Sequence, residues 1–336
     1  MADGFPNTRR QFFLTAGAAA IADIAGCTAK STRDGSRSTT IAILAAGSLQ
    51  NALANGLEPA VDVPVRIEAH GSATVARMID EGQRDPDIVS VADVALFEEP
   101  LSPSWYSVFA SNSIVIAYNP DTDGGQRLAE AGTERWYEPM VNGDVNIGRT
   151  DPDQDPLGYR TLFMLELASR HYDEASNLGE RIPEKNQIHP ETSLLSQFET
   201  GSIDAAIAYR NMAVERDYEY IELPDQINLS NPQYVEDWYA TTSYTLPSGQ
   251  EIRGGLISYG STIREMSDAA ASVFGVHTTG SYLEEHGFLL REQFPAYTGE
   301  VPQRVTETTE RSDENRSRLG GPRGLSSAVS DITVLV

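Results

Sequence analysis

Short apolar runs alternate with stretches of helical spacing, and this alternation limits the fold more than any other feature of the sequence. Thr40 to Ala45 reads as a buried strand, and Leu49 to Leu57 has helical spacing. Residues 63–68 and 87–91 read as two further strands, with a helix predicted between them over residues 73–81. Strands that alternate with helices favour a parallel sheet covered by helices. The chain is therefore predicted to adopt an α/β fold.

The length predicts two lobes, because 336 residues are too many for one small core. An apolar run over residues 113–118 reads as the crossing into a second lobe, and residues 241–246 and 255–259 read as the return. We expect residues 39–115 with 241–302 to form lobe 1 and residues 116–240 to form lobe 2. The tail, residues 303–336, has no hydrophobic period over most of its length and is predicted to be disordered.

The amino terminus has the features of an export signal. Arg9 and Arg10 precede a short apolar run that ends near Ala25. Paired arginines before such a run are typical of the twin-arginine export signal. The run contains Asp23 and is too short for a permanent membrane span, so residues 1–27 are predicted to be a signal segment.

Cys27 follows small residues in a pattern that resembles a lipobox, in which the thiol becomes acylated. It is the only cysteine, so it has no disulfide partner within the chain. Stable retention on a membrane needs two acyl chains or a diacylglyceryl group. Residues 28–38 are polar and would form a tether. The prediction is a lipid-anchored protein at the cell surface; the alternative is a cysteine without a role.

The charge balance excludes some partners. The chain has 49 acidic and 25 basic residues, a formal net charge of −24, and such a field repels nucleic acid and anionic lipid. The acidic residues are scattered, and Lys30 and Lys185 are the only lysines. A hydrated acidic surface with few lysines favours a halophilic protein, since high salt screens the self-repulsion. An ordinary acidic extracellular protein is the alternative.

Two serines occupy equivalent places, each after a strand and a glycine: Gly47-Ser48 and Gly71-Ser72. Glycine allows the backbone to approach a ligand closely. A helix start offers free N–H groups and a positive dipole end, which suits an anion. Each serine alone could simply be a helix N-cap. Together they favour a site for a tetrahedral oxyanion.

An acidic cluster runs from Thr150 to Arg160 and contains Asp151, Asp153 and Asp155. A calcium loop is one interpretation, but the central glycine and distal glutamate of an EF-hand are missing. A solvated loop in which Asp155 caps a helix is another. The five histidines show no metal-ligand spacing, and there is no Gly-x-Ser-x-Gly elbow for a hydrolase.

Residues 155–160, Asp-Pro-Leu-Gly-Tyr-Arg, resemble the Asp-Pro-x-Gly-Tyr-Arg motif of archaeal molybdate/tungstate-binding proteins. Further matches follow in order at residues 46–49, 71–72, 87–93, 105–106, 113–118, 199–204, 209–210 and 221–230. The sequence departs from that family at Ala45, where histidine is frequent. It is also shorter over residues 176–190, and it matches poorly after Pro302.

The resemblance implies a two-lobe, type II-like periplasmic-binding-protein fold with a ligand cleft between the lobes, in a haloarchaeal protein. It implies that the oxyanion is held by Gly47, Ser48, Ser72 and Tyr209. It also implies that Asp155 and Glu191 donate carboxylate oxygens to molybdenum or tungsten, which are hard centres that accept them. Sulfate and phosphate have no room for two more ligands, so coordination number could provide selectivity.

By this resemblance the chain is a monomeric binding protein and not an enzyme, has no cofactor, and delivers its ligand to the permease of an ABC importer. Three rivals stay open. One is a site for another oxyanion such as sulfate or phosphate. Another is ferric iron held by Tyr209 with Tyr159. The third is an exported hydrolase, which turnover would distinguish from stoichiometric binding.

Overall fold

The computed structural model describes residues 40–182 and 187–318. The predicted signal segment, Cys27 and the tether lie outside these described residues. None of the helices within the described ranges has the length and apolar character needed to cross a membrane.

Twelve strands lie within the described ranges. They are β1 Ile41–Ala46, β2 Val65–His70, β3 Ile88–Val91, β4 Trp105–Ser111, β5 Ile114–Tyr118, β6 Ile147–Gly148, β7 Ala205–Tyr209, β8 Tyr220–Glu222, β9 Ser243–Thr245, β10 Glu251–Arg253, β11 Ser258–Ile263 and β12 Ala296–Gly299.

The helices connect and cover these strands. They are α1 Gln50–Ala52, α2 Glu58–Ala60, α3 Ser72–Asp80, α4 Asp123–Arg135, α5 Tyr137–Val141, α6 Pro156–His171, α7 Leu178–Arg181, α8 Glu191–Glu199, α9 Arg210–Val214, α10 Asp268–Thr279, α11 Tyr282–Glu285 and α12 Gln303–Arg318. A 3-10 turn, Gly47–Leu49, precedes α1, and a π-helical turn, Leu53–Leu57, joins α1 to α2.

The larger sheet has six strands in the order β12-β4-β11-β3-β1-β2. β1 is parallel to β2 and β3, whereas β11 is antiparallel to β3 and β4. β1 is buried along almost its whole length, as expected for a central parallel strand covered on both faces. This sheet forms the core of the first lobe.

The smaller sheet has four strands in the order β6-β7-β5-β8. β5 is antiparallel to both β7 and β8, and β6 is parallel to β7. The chain enters this sheet through Ser111-Asn112-Ser113, which joins the end of β4 to the start of β5. The fold is thus α/β, as predicted, with two sheets; α10 packs on the larger sheet, α6 on the smaller sheet, and α8 contacts both.

Two sequence predictions differ from the structure. Residues 241–246 contribute no strand to the larger or the smaller sheet. Strand β9 pairs instead with β10 in a hairpin around Gly249, whose φ of 91° favours glycine.

The predicted disorder from residue 303 is wrong for residues 303–318, which form α12 against α10. Val305 is fully buried there and the Tyr297 hydroxyl donates to Thr309 Oγ1 at 2.8 Å. These few buried contacts anchor a helix whose sequence is otherwise polar.

Candidate functional site

The two Gly-Ser turns lie side by side at one edge of the larger sheet. β1 and β2 run parallel, and their last residues, Ala46 and His70, are paired in register. The turns that follow therefore leave the sheet at the same edge, Gly47-Ser48 from β1 and Gly71-Ser72 from β2. Both serine side chains are buried.

Neither serine caps its helix, so the plain N-cap interpretation is wrong for both. Ser48 Oγ accepts a hydrogen bond from the Tyr259 hydroxyl at 3.0 Å. Ser72 Oγ accepts one from the Ala92 N–H at 3.0 Å. An oxygen that already accepts a hydrogen bond presents its own proton as a donor. The two serines are thus oriented as hydrogen-bond donors, which suits an oxyanion.

The acidic loop docks onto the second of these turns. The Thr74 N–H donates to Gln154 O at 3.2 Å. Gly71 lies so close that a Cβ at this position would sit 2.4 Å from Gln154 O and 2.9 Å from Asp155 Cβ. Only glycine fits there without displacing the loop. This close approach places Asp155 beside Ser72.

Asp155 is the N-cap of α6, and its Oδ1 accepts from the Leu157 N–H at 2.7 Å. It is 2 % exposed, so the interpretation of a solvated loop is wrong at this residue. Burial raises the pKa of Asp155 to about 6, against the opposing effects of the Leu157 N–H, Thr150 and Arg160. Within the described residues, neither Asp155 Oδ2 nor the Thr150 hydroxyl has a hydrogen-bond partner of ordinary geometry, and both atoms are buried.

Tyr209 ends β7 and is fully buried. Its hydroxyl oxygen accepts from Arg160 Nη1 at 2.8 Å, so it also presents its proton as a donor. Arg160 donates from the same nitrogen to Ala92 O at 2.6 Å and pairs with Asp93 at 2.9 Å. Arg160 therefore connects the tyrosine of the smaller sheet with the segment that holds Ser72.

Sequence reasoning assigned no role to Arg160 or Asp93, although both lay within the matched motifs. Tyr159 completes their contacts, because its hydroxyl donates to Asp93 Oδ2 at 2.6 Å. Burial raises the pKa of Tyr159 well above its ordinary value. A ferric site needs phenolates, so this burial weighs against iron held by Tyr159 and Tyr209.

Glu191 is the first residue of α8, and its side chain lies outside what the structure describes. α8 contacts the Gly47–Leu49 turn. Leu195 and Ser196, one turn further along α8, line a cavity together with Gly47 and Ser48. The helix that carries Glu191 thus borders the Ser48 turn, while the role of Glu191 stays a prediction.

The structure therefore gathers Gly47, Ser48, Ser72, Asp155 and Tyr209 around one region where the two sheets meet. The hydroxyl oxygens of Ser48, Ser72 and Tyr209 each accept a hydrogen bond, and Asp155 adds one buried carboxylate. Across residues 40–182 and 187–318, no group of three or more His, Cys, Asp or Glu side chains is arranged to hold a metal ion. Asp153 of the acidic loop instead accepts from the Tyr244 hydroxyl at 2.6 Å.

Comparison with known proteins gives one family and several relatives. The model of the bacterial extracellular solute-binding protein family matches residues 41–248. A Haloferax volcanii protein, provisionally named an ABC transporter molybdenum-binding protein, is 50% identical over 88% of this chain and 96% of its own length. The molybdate/tungstate-binding protein of Thermococcus kodakarensis is 30% identical over 84% of this chain and 91% of its own.

Among solved structures, the periplasmic molybdate-binding protein of Azotobacter vinelandii aligns with 75% of this chain and 99% of its own. Its TM-score is 0.47 and its sequence identity 15%.

Proposed function

We propose, from the fact that this chain belongs to the bacterial extracellular solute-binding protein family, that it captures molybdate or tungstate and delivers it to the permease of an ABC importer. One observation carries the choice of ligand. A buried carboxylate, Asp155, lies beside the Gly71-Ser72 turn, and the hydroxyl oxygens of Ser48, Ser72 and Tyr209 each accept a hydrogen bond from the protein. Two relatives support this choice: the Haloferax volcanii protein is named for binding molybdenum, and the Thermococcus kodakarensis protein for binding molybdate and tungstate.

The donors account for the binding of the oxyanion's oxygens. Ser48, Ser72 and Tyr209 each present a proton, and a fully deprotonated tetrahedral anion has only acceptors to offer. Hydrogen bonds to a charged acceptor are roughly twice as strong as neutral ones. Sulfate would satisfy these donors equally well, so the hydroxyls alone do not select molybdate or tungstate.

Asp155 provides the selectivity in this proposal. A carboxylate facing an anion is repelled unless it bonds to the central atom. Molybdenum and tungsten accept additional hard oxygen ligands, whereas sulfur and phosphorus in their tetrahedral anions do not. Asp155, with Glu191 as the second ligand, would therefore favour the two metal oxyanions and disfavour sulfate and phosphate.

Titration calorimetry of residues 28–336 against tungstate, molybdate, sulfate and phosphate tests the function. We expect one site per chain and much tighter binding of the two metal oxyanions. Equal affinity for all four would favour the rival interpretation of a general oxyanion site. Turnover of any ester or amide substrate, in place of stoichiometric binding, would favour the hydrolase.

Export and anchoring complete the proposal. We propose twin-arginine export through Arg9-Arg10, acylation at Cys27, and a monomer with a salt-adapted surface. Replacing both arginines with lysine should leave the precursor in the cell. Cys27→Ser should release the protein into the medium with unchanged ligand affinity. Membrane retention of that variant in high salt would contradict the lipid anchor.

A further inference from the structure

A buried asparagine lies where the chain passes from one sheet to the other. Asn112 sits between β4 of the larger sheet and β5 of the smaller one, and its side chain is fully buried. The backbone of this residue is held as well, because the Asn112 N–H donates to Ile257 O at 3.2 Å. A buried side-chain amide must find partners for both its nitrogen and its oxygen.

The Asn112 amide finds these partners in three different parts of the fold. Nδ2 donates to Asn211 Oδ1 at 2.7 Å and to the Tyr259 hydroxyl oxygen at 3.2 Å. Oδ1 accepts from the Ser113 N–H at 3.0 Å, within the crossing itself. Asn211 belongs to α9, and Tyr259 to β11. Asn112 therefore connects the crossing with one residue next to the smaller sheet and one within the larger sheet.

Both partners then hold the same serine. Asn211 Nδ2 donates to Ser48 O at 2.9 Å, and the Tyr259 hydroxyl donates to Ser48 Oγ at 3.0 Å. Asn211 and Tyr259 are themselves fully buried. Two separate routes thus lead from one amide group to the carbonyl and the hydroxyl of Ser48.

We propose that Asn112 is a positioning residue of the oxyanion site, which fixes Ser48 as a hydrogen-bond donor through Tyr259 and Asn211. This inference rests on the proposed oxyanion-binding function. The Asn112 amide donates to the phenol oxygen, so the phenol proton points to Ser48 Oγ. Ser48 Oγ accepts that proton, so the Ser48 hydroxyl is held in the role of a donor. The direction of each hydrogen bond follows from the donor at Asn112.

The substitution Asn112→Asp tests the direction of these hydrogen bonds, because it changes the shape of the side chain very little. The substitution replaces a donor nitrogen by an acceptor oxygen that faces Asn211 Oδ1 and the Tyr259 oxygen. Asn211 or Tyr259 must then turn a donor toward residue 112 and away from Ser48. We expect tungstate and sulfate to bind roughly tenfold or more weakly, because both anions use Ser48. Unchanged affinity for both anions would overturn the proposal.

Tyr259→Phe provides a second variant, which removes one hydroxyl from a packed ring. We expect a roughly fivefold to tenfold loss of affinity for every oxyanion bound. Tyr239→Phe is the matched control. Tyr239 is also fully buried, and its hydroxyl bonds to Asp225 O and the Asn231 N–H, away from Ser48. We expect this control to bind as the wild type does.

A double-mutant cycle separates positioning from general loss of structure. If Tyr259 acts through Ser48, then Tyr259→Phe should have almost no further effect on affinity in a Ser48→Ala background. Additive losses would overturn the proposed route.

Amide hydrogen exchange over residues 44–53 gives a readout that needs no ligand. Asn112→Asp should speed exchange in this segment, and Tyr239→Phe should not. A wild-type protein that binds none of the four anions would sink the proposed function. Unchanged exchange in Asn112→Asp would sink the positioning role, whichever anion binds.

Discussion

The site has two halves that differ in how completely the protein satisfies its own polar atoms. Around Ser48 and Ser72, in the larger sheet, the buried side chains are joined by hydrogen bonds, including those of Tyr259 and Asn112. The half that contains Asp155 is different. Asp155 Oδ2 and the Thr150 hydroxyl are both buried there, and neither has a hydrogen bond of ordinary geometry among the described residues.

This difference suggests that the two halves have different roles in the proposed site: one holds the oxygens of the anion and the other selects its central atom. In the proposed site, the serine half would be ordered before the ligand arrives and would hold the oxygens of any small dianion. The Asp155 half leaves a buried carboxylate oxygen without an ordinary hydrogen bond, although an unpaired buried polar atom costs about 1–3 kcal/mol. Buried polar atoms in native proteins are nearly always paired, so Asp155 Oδ2 is a candidate for an atom that a ligand would satisfy.

Asp155→Asn should have the largest effect and should affect selectivity most. It keeps the size of the side chain and the acceptor for the Leu157 N–H but removes a metal-binding carboxylate. We expect tungstate affinity to fall by at least roughly 100-fold. Sulfate affinity should stay the same or rise, since a repulsion is relieved. Calorimetry with both anions measures this, and equal losses for tungstate and sulfate would contradict the division between the halves.

Ser72→Ala should weaken all oxyanions together, by roughly 1 to 3 kcal/mol for one charge-assisted hydrogen bond. Its hydroxyl contacts oxygen atoms, which tungstate, molybdate and sulfate share. The ratio of tungstate to sulfate affinity should therefore be unchanged. A change in that ratio comparable to the one expected for Asp155→Asn would show that the serine half also recognises the metal.

Acid should weaken tungstate binding through Asp155. Burial raises the pKa of this carboxyl to about 6 in the empty protein, and only the deprotonated form can coordinate a metal. Affinity should rise with pH by at most about tenfold per unit up to pH 6 and then level off. Sulfate binding should lack this rise.

The stability of the empty protein should change in the opposite direction. Because the folded pKa of Asp155 lies above the unfolded value, the folded state binds the proton more tightly. Stability is therefore lost as the pH rises from about 4 to about 6. Burial also raises the pKa of Glu215, to about 7. The stability that comes from protonated Glu215 is therefore lost as well, and the decrease in stability continues up to about pH 7. Glu215→Gln should remove only this second part, as measured by denaturant unfolding of the ligand-free protein.

Thr150→Val should have the smallest effect. The hydroxyl is fully buried and has no hydrogen bond of ordinary geometry within the described residues, and valine has nearly the same shape. The stability of the empty protein should change by less than about 1 kcal/mol, since the contact of Thr150 with the Asp155 carboxyl falls outside ordinary hydrogen-bond geometry. A loss of several kcal/mol in urea unfolding would show that the Asp155 half is as completely satisfied as the serine half.

Local patterns in the sequence predicted part of the fold and part of the candidate site. Each serine follows a strand and a glycine, so Ser48 and Ser72 could be found from residues alone. Asp155 was noticeable within an acidic loop, but its role and those of Glu191 and Tyr209 came from the resemblance. Strands with continuous apolar residues, such as β1 and β5, were also predicted.

The remaining features depend on contacts between distant parts of the chain. Asn112 has no local pattern, and its partners Asn211 and Tyr259 follow about a hundred residues or more later. Strand β12, Ala-Tyr-Thr-Gly, is recognisable only beside β4. Helix α12 has a polar sequence, and the burial of Val305 against its neighbours distinguishes it from a disordered tail.

The burial of Ser72, Asp155 and Tyr209 has a kinetic consequence. In the proposed complex, an anion in contact with these groups would leave only after the two sheets separate and Arg160 breaks its bonds to Ala92 and Asp93. The dissociation rate is then the rate of opening, and it should be nearly the same for ligands of different affinity once they are enclosed. Arg160→Lys, which loses the forked geometry of the guanidinium, should shorten the lifetime of the complex more than it slows capture. A scarce nutrient would be held long enough to reach the importer.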